Sequence, residues 1–204
     1  MTTATFAGSP PASIHPLWLR ATHWLNAVAV VVLVLSGWRI YNASPLFGFA
    51  IPKGVTIGGW LGGALQWHFA AMWLLAANGL IYLGTNLLSG RFAKRFLPIS
   101  PRAVVSDLAA ALRGRLAHAD PRSYNAVQRL AYLFVSATLV LVVLSGLVLW
   151  KSVQFPLLRD LFGGYEIARR VHFVGMAAVV AFVVVHLAMV ALVPRTLVAM
   201  IRGR

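Results

Sequence analysis

The sequence predicts an all-α integral membrane protein, a bundle of four transmembrane helices, and three observations carry this prediction. Of the 204 residues, 60% are hydrophobic and only 11% are charged, and the mean hydropathy is +0.80. A soluble domain of this size has about a quarter charged residues. Four stretches reach the roughly 20 apolar residues that a spanning helix needs. They are too long and too continuously apolar for the strands of a membrane β-barrel, so helices are predicted.

The elements follow in order along the chain. Residues 1–16 contain three prolines and are predicted to form a disordered cytoplasmic tail. The membrane domain is expected to be residues 17–193, and residues 194–204 a basic cytoplasmic tail. The first span is the least uniform, because His23, Asn26 and Arg39 lie within it or at its edges. The four predicted spans cover about residues 17–41, 61–88, 130–150 and 168–193.

The positive charge predicts the orientation in the membrane. The formal net charge is +14, from 18 Lys and Arg against 4 Asp and Glu. Twelve of the 18 positive residues flank the span ends at which both termini lie, and six flank the opposite ends. Cytoplasmic loops carry the excess of Lys and Arg, so both termini are expected to face the cytoplasm of a bacterium, with the chain in its inner membrane. The charge therefore follows membrane topology, and the predicted partner is membrane lipid, with no nucleic acid.

The chain contains an internal repeat. The first span in RATHWLNAVAVVVLVLSG and the third in RLAYLFVSATLVLVVLSG both place Ser-Gly sixteen residues after arginine. The second and fourth spans share His-Phe-x-x-Met, in WHFAAMW and VHFVGMA. His23 and His186 align with Tyr132 and Tyr82, respectively. We interpret the spans as two duplicated helical hairpins, related by a pseudo-two-fold axis along the membrane normal.

Four of the six histidines lie in the predicted spans. An ionisable residue within a span indicates function, although a single one is equally explained as a neutral ring hydrogen-bonded to a neighbouring helix. His172 and His186 are fourteen residues apart, a rise of about 21 Å along one helix face. Because successive spans alternate in direction, His23 is expected at the depth of His186 near the cytoplasm. His68 is expected at the depth of His172 near the outer surface.

Two histidine pairs at two depths predict two stacked b-type haems, with His68–His172 and His23–His186 as the iron ligands. Haem supplies four equatorial nitrogens, so two histidines suffice, whereas structural zinc needs four protein ligands around one ion. The spans contain no Cys, Asp or Glu that would complete a zinc or copper site or a proton relay. The absence of cysteine also excludes thiolate-held iron–sulfur clusters and covalent haem attachment.

Two arginines are candidates for binding the haem propionates. Arg20 lies one turn before His23, and Arg169 lies shortly before His172. An ordinary interfacial position explains either arginine equally well.

Ligation by two histidines fills both axial positions of the iron and leaves no site for oxygen chemistry, so electron transfer is the predicted activity. Metal or proton transport remains a different alternative, which colourless, haem-free protein with bound metal would favour.

With the four histidines placed, the chain resembles the diheme cytochrome b subunits of bacterial nickel–iron hydrogenases, membrane formate dehydrogenases and thiosulfate reductase-type enzymes. The resemblance rests on Arg-x-x-His-Trp at His23, Trp-His-Phe at His68, two Ser-Gly pairs, and the spacing of His172 and His186. It implies a cytochrome that carries electrons between a periplasmic oxidoreductase subunit and membrane quinone. The segments HPLWLRATHWLNA and SGLVLWKSVQ are most similar to the thiosulfate reductase-type branch, which implies a molybdopterin-type partner.

The resemblance also implies a quinone site beside the haem of the His23–His186 pair, near the cytoplasm. Its expected neighbours are Arg20, Asn26 and Tyr82. The chain is then the electron-transfer subunit of a complex and not its catalytic subunit. The alternative is a stand-alone quinone-linked oxidoreductase, for example a superoxide-oxidising cytochrome b. Co-purification with a large soluble subunit would favour the first function, and turnover by the lone chain would favour the second.

Overall fold

The computed structural model describes residues 15–90, 98–113 and 125–203. All regular structure within these residues is helical, and four of the helices are long and apolar enough to cross a membrane. The prediction of an all-α protein with four spans is therefore confirmed. The helices are α1 Leu17–Ala43, a 3₁₀ turn Lys53–Val55, α2 Leu61–Leu88, α3 Pro101–Leu112, α4 Ala126–Trp150, α5 Pro156–Leu161, α6 Tyr165–Leu192 and α7 Arg195–Arg202.

Two of the spanning helices begin earlier than their apolar stretches. The capping box at the start of α4 extends that helix to Ala126: the Asn125 side chain accepts from the backbone N–H of Gln128 at 2.7 Å, and the Gln128 side chain accepts from the backbone N–H of Asn125 at 3.1 Å. Helix α6 begins directly after Gly163 and Gly164, whose φ angles are 78° and 102°. In both cases the N-cap residue, Asn125 or Gly164, lies before the apolar stretch, so the helix begins several residues before the hydropathy rises.

The segments outside the spans contain two helices that hydropathy alone does not predict. Helix α3 lies in the positively charged link between α2 and α4, of which residues 91–97 and 114–124 lie outside the described residues. The predicted basic tail, residues 194–204, contains the amphipathic helix α7, which ends at Gly203 in the left-handed region. Of the predicted N-terminal tail, residues 1–14 lie outside the described part of the chain.

The spanning helices pack as two hairpins, α1 against α2 and α4 against α6. Small residues at helix interfaces let the backbones of membrane helices approach closely. Between the hairpins the backbones stay farther apart, and side chains make the contacts. The structure thus has two helical hairpins, and their relation by duplication stays a prediction from the sequence repeat. The small residues buried in the two hairpins are Ala29, Ser36, Ala64, Ala71, Ser145, Ala168 and Gly175.

Polar contacts join the hairpins at the end of the bundle where α1 begins and α6 ends, which we call the terminal end. Arg20 Nη1 donates to the backbone oxygen of Ile201 at 2.6 Å, and Trp24 Nε1 donates to that of Met200 at 3.4 Å. Both acceptors are among the last carbonyls of α7, where a cation is favoured by the helix dipole. Helix α7 therefore folds back onto the start of α1, one turn from His23.

Aromatic side chains join the hairpins at the opposite end, which we call the loop end. The ring of Tyr41 at the end of α1 lies 4.9 Å from that of Phe173 in α6. Phe49 packs on both rings, at 5.4 and 6.4 Å, and Phe47 packs on Phe173 at 5.3 Å. Arg169 donates hydrogen bonds to the backbone oxygen and hydroxyl of Ser44. The segment after α1 is thus fixed across the start of α6.

Candidate functional site

The four histidines of the spans form two pairs between the hairpins. The ring centroids of His68 in α2 and His172 in α6 are 6.4 Å apart, and those of His23 in α1 and His186 in α6 are 6.1 Å apart. Both pairs have an interplanar angle of 59°. Two imidazoles that bind one metal ion from opposite sides, through bonds of about 2 Å, have centroids about 6 Å apart. Each pair has the spacing that one six-coordinate iron between the rings requires.

At the loop end, serine hydroxyls lie behind both histidines. Ser36 Oγ is 3.0 Å from His68 Nδ1, and Ser145 Oγ is 3.2 Å from His172 Nδ1. His172 Nδ1 also lies 3.0 Å from the backbone oxygen of Val142. These contacts use the Nδ1 nitrogens and leave the Nε2 nitrogens available to a metal ion.

The glycines next to these serines give the imidazole rings room. A Cβ at Gly146 would lie 3.1 Å from His172 Cε1, closer than an ordinary van der Waals contact, and a Cβ at Gly37 would lie 3.5 Å from His68 Cε1. The repeated Ser-Gly pair therefore forms a matching cradle for one histidine in each hairpin. Glycine is required more strictly in the second hairpin than in the first.

At the terminal end, aromatic rings hold the histidines. His23 contacts Trp24 edge-on at 5.4 Å, and His186 stacks on Phe182 at 5.9 Å. Within the described part of the chain, neither histidine has a hydrogen-bond partner for its ring nitrogens. Gly79 lies eleven residues after His68 in α2, which is within about 20° of the same helix face. A Cβ at Gly79 would meet no atom within 4 Å, so no side chain packs closely on the backbone there.

The donor set fits haem. Each pair offers two imidazoles, and among residues 15–90, 98–113 and 125–203 no three His, Asp or Glu side chains converge on one point. Two imidazoles fill the axial positions of an iron whose other four ligands come from a porphyrin, but they leave a tetrahedral zinc site incomplete. The assignment of the four histidines as haem ligands stays a prediction that this geometry supports.

The two predicted propionate arginines differ in how much of their guanidinium is already engaged. Arg20 donates through Nη1 to Ile201, while its buried Nε has no partner among the described residues. Arg169 contacts Ser44 through Nη2 and lies 3.6 Å from the Glu166 carboxylate through Nη1. Arg20 therefore keeps a buried donor beside His23, whereas Arg169 mainly ties the loop end together.

A buried amide near the terminal end was missed by sequence reasoning. Asn78 is 4% exposed, and its Nδ2 donates to the backbone oxygen of Thr22 and to Asn26 Oδ1, both at 2.7 Å. The signal was present as a lone asparagine in the apolar run LLAANGLIYL. Of the predicted quinone neighbours, Asn26 is thus fixed by Asn78, and Tyr82 follows Asn78 by one turn of α2.

Comparisons with known proteins place these features in context. The family model described as prokaryotic cytochrome b561 matches residues 14–203. A protein of Azospira oryzae, whose name describes it as the candidate protein-methionine-sulfoxide reductase subunit YedZ1, is 71% identical over 191 residues, covering 94% of this chain and 96% of that protein. A protein of Cupriavidus necator, named as an inferred Ni/Fe-hydrogenase B-type cytochrome subunit, is 29% identical over 188 residues, covering 82% of this chain and 74% of that protein.

Proposed function

Since the chain belongs to the prokaryotic cytochrome b561 family, we propose that it is a diheme b-type cytochrome that transfers electrons between a periplasmic oxidoreductase subunit and the quinone pool. The family and the four apolar helices establish the coarser statement: the chain is a b-type cytochrome subunit of the bacterial inner membrane. The two haems, the quinone and the type of partner are the finer parts of the proposal.

The observation that carries the proposal is the presence of two histidine pairs at two levels of one bundle. In each pair the ring centroids are about 6 Å apart. His172 and His186 lie on one face of α6, about 21 Å apart along its axis. That separation covers most of a hydrocarbon core about 30 Å thick. When bound, two b-type haems supply one-electron redox centres at these two levels. The four histidines would hold the two haems between the hairpins.

The side chains that surround the two histidine pairs differ. The aromatic cluster of Tyr41, Phe47, Phe49 and Phe173 packs at the loop end beside His172. At the terminal end, Arg20 offers its buried Nε to a carboxylate such as a haem propionate. A charge-assisted hydrogen bond of this kind is among the stronger contacts available to a buried carboxylate.

The distribution of positive charge supports the direction in which the bundle is inserted. The terminal end carries most of the Lys and Arg and is proposed to face the cytoplasm. The loop end then faces the periplasm, where the partner subunit docks. Both relatives are named as subunits of larger oxidoreductases, which supports a catalytic partner. The molybdopterin type of that partner is proposed from the sequence resemblance to thiosulfate reductase-type subunits.

The quinone is proposed to bind at the terminal end near Arg20, Asn26 and Tyr82. Asn26 Oδ1 accepts a hydrogen bond from Asn78 Nδ2. This bond fixes the side-chain amide of Asn26 and leaves its Nδ2 hydrogens to donate. Such N–H donors suit the carbonyl oxygens of a quinone. Because Asn26 lies one turn from His23, a quinone there lies within short range of the His23–His186 level.

The experiment that tests the proposal is a dithionite-reduced minus air-oxidised difference spectrum of the detergent-purified chain, with haem counted per chain. We expect b-type spectra and two haems per chain, and we expect quinol to reduce them. A chain without haem from a haem-replete host would overturn the cytochrome. A count of one haem would overturn the diheme part alone.

Replacement of Gly146 by alanine is expected to loosen the loop-end haem. The new methyl group would lie 3.1 Å from His172 Cε1, so the ring must move by a few tenths of an ångström or the helices must separate. Overpacking of this kind costs about 1–3 kcal/mol. Haem content and the temperature of haem loss measure the effect. Gly37→Ala is the matched control, since its 3.5 Å contact with His68 is ordinary. Equal or greater damage from Gly37→Ala would contradict the geometry.

A further inference from the structure

The Ser-Gly repeat places a buried hydroxyl behind each histidine of the loop-end pair and behind neither histidine of the terminal pair. Ser36 and Ser145 are both 0% exposed. Their Oγ atoms lie 3.0 Å and 3.2 Å from Nδ1 of His68 and His172, respectively. The two contacts occupy equivalent positions in the two hairpins, so the arrangement occurs twice in one molecule.

The direction of these hydrogen bonds follows from the other partners of the serines. Each hydroxyl has one hydrogen, and that of Ser36 is directed to the backbone oxygen of Val32 at 2.6 Å. The hydroxyl of Ser145 is directed to Leu141 O at 2.8 Å. Only lone pairs are left to face the imidazoles, so His68 Nδ1 must be the donor.

The same conclusion holds for His172 on independent grounds. Its Nδ1 also lies 3.0 Å from Val142 O, an atom that can only accept. Both loop-end histidines are therefore Nδ1–H tautomers, whose free lone pair is on Nε2. A hydrogen bond from the distal N–H of an imidazole fixes its orientation and raises the basicity of the ligating nitrogen.

We propose that Ser36 and Ser145 are positioning residues for the haem of the His68–His172 pair, which fix the Nε2-ligating tautomer and lower the midpoint potential of that haem. The inference rests on the proposed function, because it presupposes haem between the two rings. More basic axial ligands favour ferric over ferrous iron, and hydrogen bonding around the ligands is one of the means by which a protein sets haem potential. His23 and His186 contact aromatic rings in place of hydroxyls, so the terminal-end haem is not lowered in this way.

The test is potentiometry of Ser36→Ala and Ser145→Ala in the full chain, in a His23→Ala background where only the loop-end haem is expected. Ser36→Ala is expected to raise the ferrous-to-ferric ratio at a fixed ambient potential by up to about tenfold, the worth of one hydrogen bond, or about 59 mV for a one-electron couple. Ser145→Ala is expected to give a shift in the same direction and of similar size, because a backbone oxygen remains beside each ring, that of Leu33 for His68 and that of Val142 for His172. The low-spin ferric EPR signal should change with the potential.

Thr138→Val is the matched control. Thr138 is a buried residue of α4 whose hydroxyl bonds Phe134 O at 2.8 Å and contacts no histidine. Its removal is expected to leave the potential and the EPR signal unchanged. If Ser36→Ala loses the haem, Ser145→Ala carries the same test.

The outcomes separate this inference from the proposed function. A wild-type chain without haem overturns the proposed function. Haem-containing serine variants with unchanged potential and EPR signal overturn the serine role alone. A downward shift in potential would overturn it equally, since removal of the acceptor cannot make the ligand more basic.

Discussion

Replacement of His68 or His172 by alanine is expected to remove one haem per chain, and the same haem in both variants. His23→Ala and His186→Ala are expected to remove the other. The reason is geometric: each pair of rings faces one gap of about 6 Å, so the two ligands of one iron come from one pair. A second substitution within the same pair should remove no further haem, since removal of either ligand already abolishes that site.

Pyridine haemochrome counts and reduced-minus-oxidised spectra check this pattern. The double variant His68→Ala with His23→Ala should contain no haem, whereas His68→Ala with His172→Ala should keep one. His118→Ala is the matched histidine control, because His118 lies in the sequence between the second and third spans, outside all four of them. Loss of the same haem from His68→Ala and His186→Ala would show that the pairing is wrong. Loss of haem from Tyr82→Phe or Tyr132→Phe would show that a tyrosine is a ligand.

The fold could be predicted from the sequence wherever it depends on the bilayer as solvent. Continuous apolar stretches admit only helices, so the four spans were predicted from composition alone. Helices α3 and α7 were missed because amphipathic segments of 12 and 8 residues do not raise the hydropathy of a long window. Local signals for both exist. Pro101 occupies the first turn of α3 after Ser100, and Gly203 ends α7 in the left-handed region.

Of the candidate site, helix periodicity could predict the pairing of the histidines but not the contacts of their side chains. The rise per residue and the alternating direction of the spans suffice to place His23 beside His186 and His68 beside His172. The contacts of Ser36 with His68 depend on side-chain rotamers on two different helices, which no local pattern encodes. The Ser-Gly repeat was visible as a repeat, but its contact with the imidazoles needed the packing of α1 against α2. The bond between Asn78 and Asn26 required the same packing.

Replacement of Gly58 by alanine is expected to leave most of the protein molecules unfolded. Gly58 precedes α2 with φ of 99°, a conformation that costs an L-residue about 1–2 kcal/mol. A Cβ there would also lie 2.4 Å from the backbone N and Cα of Ala64, which are held in the first turns of α2. Backbone atoms cannot rotate away as a flexible side chain can. We therefore expect a total destabilisation of about 3 kcal/mol or more, close to the upper range for single substitutions.

Gly59→Ala separates the clash from the backbone strain. Gly59 has φ of 69°, but a Cβ there would meet no atom within 4 Å, so only the cost of the left-handed conformation applies. Monodisperse yield in detergent and the thermal midpoint of unfolding measure both variants, and Gly58→Ala should be clearly the worse. Because His68 lies two turns into α2, the surviving fraction of Gly58→Ala should also be depleted in the loop-end haem. Equal behaviour of the two variants would mean that the segment before α2 does not approach Ala64 as closely as the structure places it.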